Sequence, residues 1–152
     1  MDAGRPEIGK AMTHRERTGR TPPEEVRIIG GAALYVVLVM IAGFAFGAVR
    51  ELVLVPKLGR AMGEPLETPL MFAAIVASAS LSMRWCRVPP DLAARIIVGS
   101  LALALVLLAE LALSPFVRSS VAAWFESFTP FTLALNIALW AAQALMPLLV
   151  RR

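Results

Sequence analysis

Five polar residues stand inside or beside the long apolar runs of this chain, and their side chains are the ones that could do chemistry. They are Arg50, Glu51, Glu67, Glu110 and Asn136. Ionisable groups at membrane depth are costly and need partners there. If the apolar runs cross a bilayer, we expect Arg50 to be the counter-ion of Glu67 or Glu110. Such a cluster could hold a small solute or ion, or carry a proton.

A purely structural role for the same residues is the alternative, and the sequence favours it. Arg50 and the glutamates could form an ion pair that fixes helix register, or extend to the lipid headgroups. Most of them lie near the ends of apolar runs, but Glu110 lies about 21 Å along the third run. Asn136 lies about 9 Å along the fourth, so both belong to the outer half of the membrane. Only Gln143 is deeper.

Enzymatic motifs are missing from the sequence. It contains no HExxH, no Gly-rich phosphate loop, no paired cysteines and no GxSxG. The single histidine, His14, and the single cysteine, Cys86, argue against a zinc site and rule out an intramolecular disulfide. We interpret Cys86 as an interfacial residue, with a reactive thiol between arginines as the minor alternative. We expect no metal, no cofactor and no enzyme; a membrane enzyme using Glu67 and Glu110 is the minor alternative.

The composition predicts an all-α membrane protein, a small four-helix transmembrane bundle with a disordered N-terminal tail. Hydrophobic residues make up 58% of the 152 residues, charged ones only 17%, and the mean hydropathy is +0.71. Only helices or closed barrels satisfy backbone polar groups in lipid. The predicted spans cover about 28–49, 66–83, 96–113 and 130–150, the second being short for a crossing. The net charge of +4 does not indicate nucleic acid, because the bases flank apolar runs.

The remaining segments are assigned from their local patterns. Residues 1–27 read as a disordered basic cytoplasmic tail, with a helix start at Pro22-Pro23-Glu24-Glu25. Residues 50–58 either continue the first helix or lie at the interface. Ser114-Pro115 is expected to end the third span, and 116–129 to form an interfacial segment with aromatics at headgroup level. Gly43 and Gly47 form a GxxxG pattern that predicts close packing against another helix.

The distribution of basic residues predicts the orientation. With both termini in the cytoplasm, eleven Lys and Arg residues lie inside and four outside. The positive-inside rule therefore favours a multi-pass protein with both termini cytoplasmic.

Several stretches resemble a group of small uncharacterised inner-membrane proteins of proteobacteria with about four transmembrane helices. The resemblance covers about two-thirds of the chain, roughly from residue 28 onward. The stretches that carry it run over 47–52, 56–59, 64–71, 84–85 and 109–111. The resemblance implies a location and a fold but no activity, and no functional residues follow from it. The stretches nevertheless include Arg50, Glu67 and Glu110.

Two functions follow from these patterns. The sequence favours a non-enzymatic structural or accessory bundle that acts through partners, which would be the lipid bilayer and a second copy of the chain or another membrane protein. The alternative is an oligomeric small permease, or an ion- or proton-coupled carrier, that uses the outer-half Arg/Glu cluster. Four short helices rarely enclose a pathway alone, so the carrier predicts assembly.

Overall fold

The computed structural model describes residues 22–118, 120–126 and 129–150, and this part of the chain is helical throughout apart from its connections. Four of its helical segments are long and apolar enough to cross a bilayer, which confirms the predicted fold class. The elements are α1 (Glu24–Val49), a π-helical turn (Arg50–Leu54), α2 (Val55–Leu58), α3 (Arg60–Trp85), α4 (Leu92–Arg118), α5 (Val121–Glu126) and α6 (Pro130–Leu149).

The first helix begins where its sequence signals predicted. Pro23 precedes the first turn, and Glu24 and Glu25 lie within it, where acidic side chains complement the positive end of the helix dipole. The tail predicted over 1–27 is therefore too long by four residues, because 24–27 belong to α1. The rest of that prediction, residues 1–21, lies outside the described residues.

Residues 50–58 continue the first helix, which was one of the two alternatives. The N–H of Val55 bonds to the carbonyl of Arg50, five residues back, so the turn ahead of Pro56 is wider than an α-turn. In a regular α-helix, the ring of Pro56 would crowd the carbonyl four residues before it. The wide π-helical turn over 50–54 lies at that position. The helix continues past Pro56 and ends at Gly59, whose φ of +77° is a conformation that favours glycine.

Helix α3 is longer than the predicted second span and contains Pro65 and Pro69. Prolines are tolerated in membrane helices because neighbouring groups satisfy the freed backbone atoms. The predicted span, 66–83, already included Pro69, and α3 extends it at both ends. The 21 residues of Pro65–Trp85 suffice for a crossing.

Helix α4 runs through Pro115 to Arg118, so the predicted break at Ser114-Pro115 is wrong. Pro115 has no N–H to offer the carbonyl of Leu111, four residues earlier. The hydroxyl of Ser114 donates to that carbonyl instead, at 2.8 Å. Of the predicted interfacial segment, 116–118 belong to α4 and 121–126 form α5. The aromatic side chains that suggested it, those of Phe116, Trp124, Phe125 and Phe128, lie outside the described part of the structure.

The four long helices form a ring in which each packs on two neighbours. Helices α1 and α6 both pack on α3 and on α4, so α1 and α6 face each other across the diagonal. A Cβ at Gly99 would lie 2.1 Å from the carbonyl oxygen of Ala144, so α4 and α6 touch backbone to backbone there. The core contains Ala32, Tyr35, Val39, Ile75, Ala79, Met83, Val98, Ala102, Val106 and Met146.

Two arginines bind backbone carbonyls at the end of the bundle where α1 begins and α6 ends. The guanidinium of Arg95 donates to the carbonyls of Pro147 at 3.1 Å and Val150 at 2.7 Å. The last carbonyls of a helix have no partner within it, so a cation there is favourable. Arg27 donates in the same way to the carbonyl of Arg87. The opposite end contains Arg50 and Glu67.

Candidate solute-binding cavity

A cavity of about 310 Å³ lies among the four long helices, in the half of the bundle where α1 ends. This volume is at the lower limit of ordinary small-molecule sites. Its polar lining combines charged, amide and hydroxyl groups with apolar walls. The polar residues are Arg50, Glu67, Thr68, Glu110, Ser114, Thr132, Asn136, Trp140 and Gln143, and the apolar ones include Met40, Phe44, Met71, Leu113, Leu135 and Leu139.

Arg50 is the counter-ion of Glu67, one of the two partners that the sequence proposed. Its Nη1 lies 2.9 Å from Oε2 of Glu67, and its Nε lies 3.4 Å from Oε1 of Glu51. The side chain of Glu67 is only 14% exposed, whereas that of Glu51 is 43% exposed. The pair joins the wide turn after α1 to the first turns of α3. Within this cavity, Glu67 is thus a neutralised acid.

Glu110 lies apart from that pair. Its half-buried side chain lies beside that of Trp140, whose indole N–H can only donate. The ion pairs among the described side chains are those of Arg50 with Glu51 and Glu67, so no cation lies within 4 Å of Glu110 in that set. Glu110 is therefore an acidic group for which the described part of the wall supplies no cation.

Each of the two amide side chains of α6 donates one hydrogen bond to a backbone carbonyl. Nδ2 of Asn136 donates to the carbonyl of Thr132 at 2.8 Å, and Nε2 of Gln143 donates to the carbonyl of Ala102 at 3.3 Å. The amide atom of Gln143 that contacts the carbonyl of Ala102 must be the nitrogen, because a carbonyl oxygen can only accept a hydrogen bond. Within the described residues, no donor reaches the amide oxygen of either side chain. Gln143 is only 2% exposed, so the remaining partner for its amide oxygen is a molecule inside the cavity.

The floor of the cavity contains a contact that the sequence reasoning missed. The hydroxyl of Tyr35, a fully buried residue, donates to the backbone carbonyl of Gln143 at 3.0 Å. That carbonyl is available because Pro147, four residues later, has no N–H. The four-residue spacing of Gln143 and Pro147 indicates in the sequence that the carbonyl of Gln143 needs a donor from outside the helix. It does not indicate that Tyr35 is this donor.

The structure brings together most of the predicted site residues. Arg50, Glu67, Glu110 and Asn136 all line the cavity, whereas Glu51 is not part of its lining. The sequence reasoning did not select Thr68, Ser114, Thr132 or Trp140, which complete the polar wall. In the described ranges, no group of three or more His, Cys, Asp or Glu residues could hold a metal ion.

Gly43 and Gly47 lie on the cavity wall. A Cβ at Gly43 would lie 3.7 Å from Cε of Met71, and one at Gly47 would meet no atom within 4 Å. Within the chain, Gly47 thus leaves space open and brings no second helix close. Close packing of the GxxxG pattern against another chain stays a prediction.

No family model matches the chain, and neither a curated protein nor a solved structure is similar to it at a significant level. The resemblance to proteobacterial inner-membrane proteins therefore stays a prediction.

Proposed function

We propose that this membrane protein is a non-enzymatic carrier or binding protein that takes a small solute into the cavity. The observation that carries the proposal is an open space of about 310 Å³, lined by charged and amide groups, inside an otherwise apolar bundle. Protein interiors are close-packed, and a void lowers stability. Polar groups at membrane depth add a further cost. A bundle that only spans the bilayer needs neither feature, whereas a solute-binding protein needs both.

The accessory bundle that the sequence favoured is the second candidate, and one observation supports it. Arg50 pairs with Glu67, and Glu110 lies beside Trp140, so these groups already have polar neighbours inside the chain. Such contacts could fix helix register without any ligand. The two candidates differ in one property, because only a solute-binding cavity must admit water and solutes from one side of the membrane.

The setting of the proposal is a bacterial inner membrane with both termini in the cytoplasm. The cavity then lies in the periplasmic half, because α1 runs outward and the cavity surrounds its second half. Four helices enclose little volume, so we propose that the working unit is an oligomer, or a complex with another membrane protein.

Cysteine accessibility in whole cells tests the proposal. The background is Cys86→Ser, which removes the only cysteine of the chain. A thiol is introduced by Gly47→Cys, where the wall leaves free space, or by the matched Ala48→Cys, one residue on and exposed on the outer surface of the bundle. A charged, membrane-impermeant thiol reagent is added outside. Lipid suppresses ionisation of a thiol, and the thiolate is the reactive form.

We expect Gly47→Cys to react at least about tenfold faster than Ala48→Cys, because only the first thiol faces water. Equal and slow rates would mean that the cavity is closed and dry, and would favour the accessory bundle. Fast labelling only in inside-out vesicles would reverse the proposed orientation.

A further inference from the structure

We infer that the ligand of the cavity is a small organic cation, a protonated amine with an apolar portion. The inference rests on the proposed function and names its substrate class. It follows from three properties of the wall, which are its charge, its unused hydrogen-bonding atoms and its shape.

The acidic residues of the described wall outnumber the basic ones. Within the described part of the chain, the charged residues that line the cavity are Arg50, Glu67 and Glu110, of which Arg50 and Glu67 pair and Glu110 is left over. Glu51 also lies on Arg50, which adds negative charge near the rim. Charges interact more strongly in a low-dielectric interior than in water, so this acid, once ionised, favours a cation over an anion as its partner.

The wall offers acceptor atoms to a ligand. Nδ2 of Asn136 and Nε2 of Gln143 each use one N–H on the carbonyls of Thr132 and Ala102, and Nη1 of Arg50 donates to Glu67. Among the described residues, no donor reaches Oδ1 of Asn136 or Oε1 of Gln143, and these oxygens lie in the wall together with the carboxyl group of Glu110.

An ammonium group has three N–H donors and no acceptor, so it complements this set.

The size and the walls favour an organic cation over a metal ion. One water molecule occupies about 30 Å³ in the liquid, so the volume of the cavity is about an order of magnitude larger than that of a water-sized ion. Phe44, Leu113 and Leu139 supply apolar surface, and Trp140 adds an aromatic ring beside the carboxylate of Glu110. A cation close to an indole face gains further attraction. An amine that carries one ring therefore matches both the polar and the apolar parts of the wall.

Calorimetric titration of the purified protein in detergent at neutral pH tests the inference. Three probes share a ring and differ in charge, namely benzylammonium, benzyl alcohol and benzoate. Sodium chloride is titrated alone to test an inorganic cation. The variants are Glu110→Gln, which removes the charge at constant size, and Glu126→Gln, the same change at an exposed position outside the cavity.

We expect the wild type to bind benzylammonium at least about tenfold more tightly than benzyl alcohol, and to give no heat with benzoate or sodium chloride. We expect Glu110→Gln to lose at least about tenfold in affinity for benzylammonium, and Glu126→Gln to lose none. The probe series on the wild type keeps the inference testable even if Glu110→Gln fails to fold. The inference is wrong if a folded Glu110→Gln binds benzylammonium normally, or if the wild type prefers the alcohol, the anion or sodium.

Failure of the inference differs from failure of the proposed function. If benzyl alcohol or benzoate binds and Gly47→Leu, which fills the open space beside Gly47, abolishes that binding, the cavity still takes a solute. In that case only the substrate class is wrong. If none of the three aromatic probes binds, both proposals fail.

Discussion

The hydroxyl of Tyr35 on α1 donates a 3.0 Å hydrogen bond to the backbone carbonyl of Gln143 on α6. The two helices lie on a diagonal of the four-helix ring, so this bond crosses the centre of the bundle. It satisfies a carbonyl that Pro147 leaves without its helical donor. On the same residue, the side chain of Gln143 reaches the carbonyl of Ala102 on α4. Gln143 thus anchors α6 to both α1 and α4 beneath the cavity, and Pro147 accounts for the first of these two contacts.

Replacing Tyr35 by Phe should lower the free energy of unfolding by about 1–3 kcal/mol, because the carbonyl of Gln143 would be buried without a donor. Pro147→Ala restores an N–H at the position that can serve this carbonyl. The two changes should therefore be non-additive, and the double variant should lose less than the sum of the single losses, by about 1 kcal/mol. Unfolding in mixed micelles of increasing denaturing detergent measures all four proteins. Strict additivity would contradict the proposed role of Pro147.

The Arg50–Glu67 pair should show the asymmetry of a partly buried ion pair. Arg50→Gln leaves Glu67, 14% exposed, without its cation, and we expect a loss of about 1–3 kcal/mol in unfolding free energy. Adding Glu67→Gln should recover part of that loss, because no uncompensated charge is then left. The control is Glu126→Gln, which should change stability by less than about 0.5 kcal/mol. If the double variant is less stable than Arg50→Gln, the pair is not the unit that we describe.

Gly99 allows the close approach of α4 and α6. A Cβ added there would lie 2.1 Å from the carbonyl oxygen of Ala144, so Gly99→Ala must push the helices apart. Overpacking of this kind costs about 1–3 kcal/mol. Ser100→Ala, at the exposed neighbouring position, serves as the control and should be nearly neutral. A Gly99→Ala variant with the melting temperature of the wild type would contradict this packing.

Cys86 should react slowly with alkylating reagents near neutral pH. Its Sγ lies 3.9 Å from the place of a Cβ at Gly30, and burial raises the pKa of the thiol above its ordinary value. This direction is opposite to the activation by flanking arginines that was the minor alternative from the sequence. A higher pKa means less thiolate at a given pH, so the alkylation rate should rise with pH and reach its plateau later than for an exposed thiol.

The matched control for Cys86 is Trp85→Cys in the Cys86→Ser background, at a position where the native side chain is 68% exposed. Maleimide rates measured from pH 6 to pH 10 compare the two thiols. Identical profiles would show that burial does not control the reactivity of Cys86.

The polar cluster was predictable to a useful degree because depth along a helix follows from counting residues. The rise of about 1.5 Å per residue placed Glu110 and Asn136 in one half of the membrane, and both line the cavity. From the sequence, two acids were left as possible partners of Arg50, namely Glu67 and Glu110. The choice of Glu67 was not predicted, because the wide turn at 50–54 ahead of Pro56 was not anticipated from the sequence.

The contacts that the sequence did not reveal depend on which helices lie diagonally opposite each other in the four-helix ring. The Tyr35–Gln143 bond requires α1 to face α6, and nothing in the order of the spans dictates that arrangement. The effect of Pro115 was misjudged for a related reason, since the hydroxyl of Ser114 takes the place of the missing donor. Local rules treat a proline as a break, whereas the surrounding polar atoms decide whether the helix continues.

The most direct test of a solute-binding cavity is protection of a thiol on its wall. Gly47→Cys in the Cys86→Ser background is labelled with the impermeant reagent in the presence of increasing benzylammonium. The account predicts that labelling slows at least about fivefold, on the same concentration scale as calorimetric binding, and that Glu110→Gln removes this protection. Labelling of Gly47→Cys that is unchanged by benzylammonium, benzyl alcohol and benzoate alike would contradict the account.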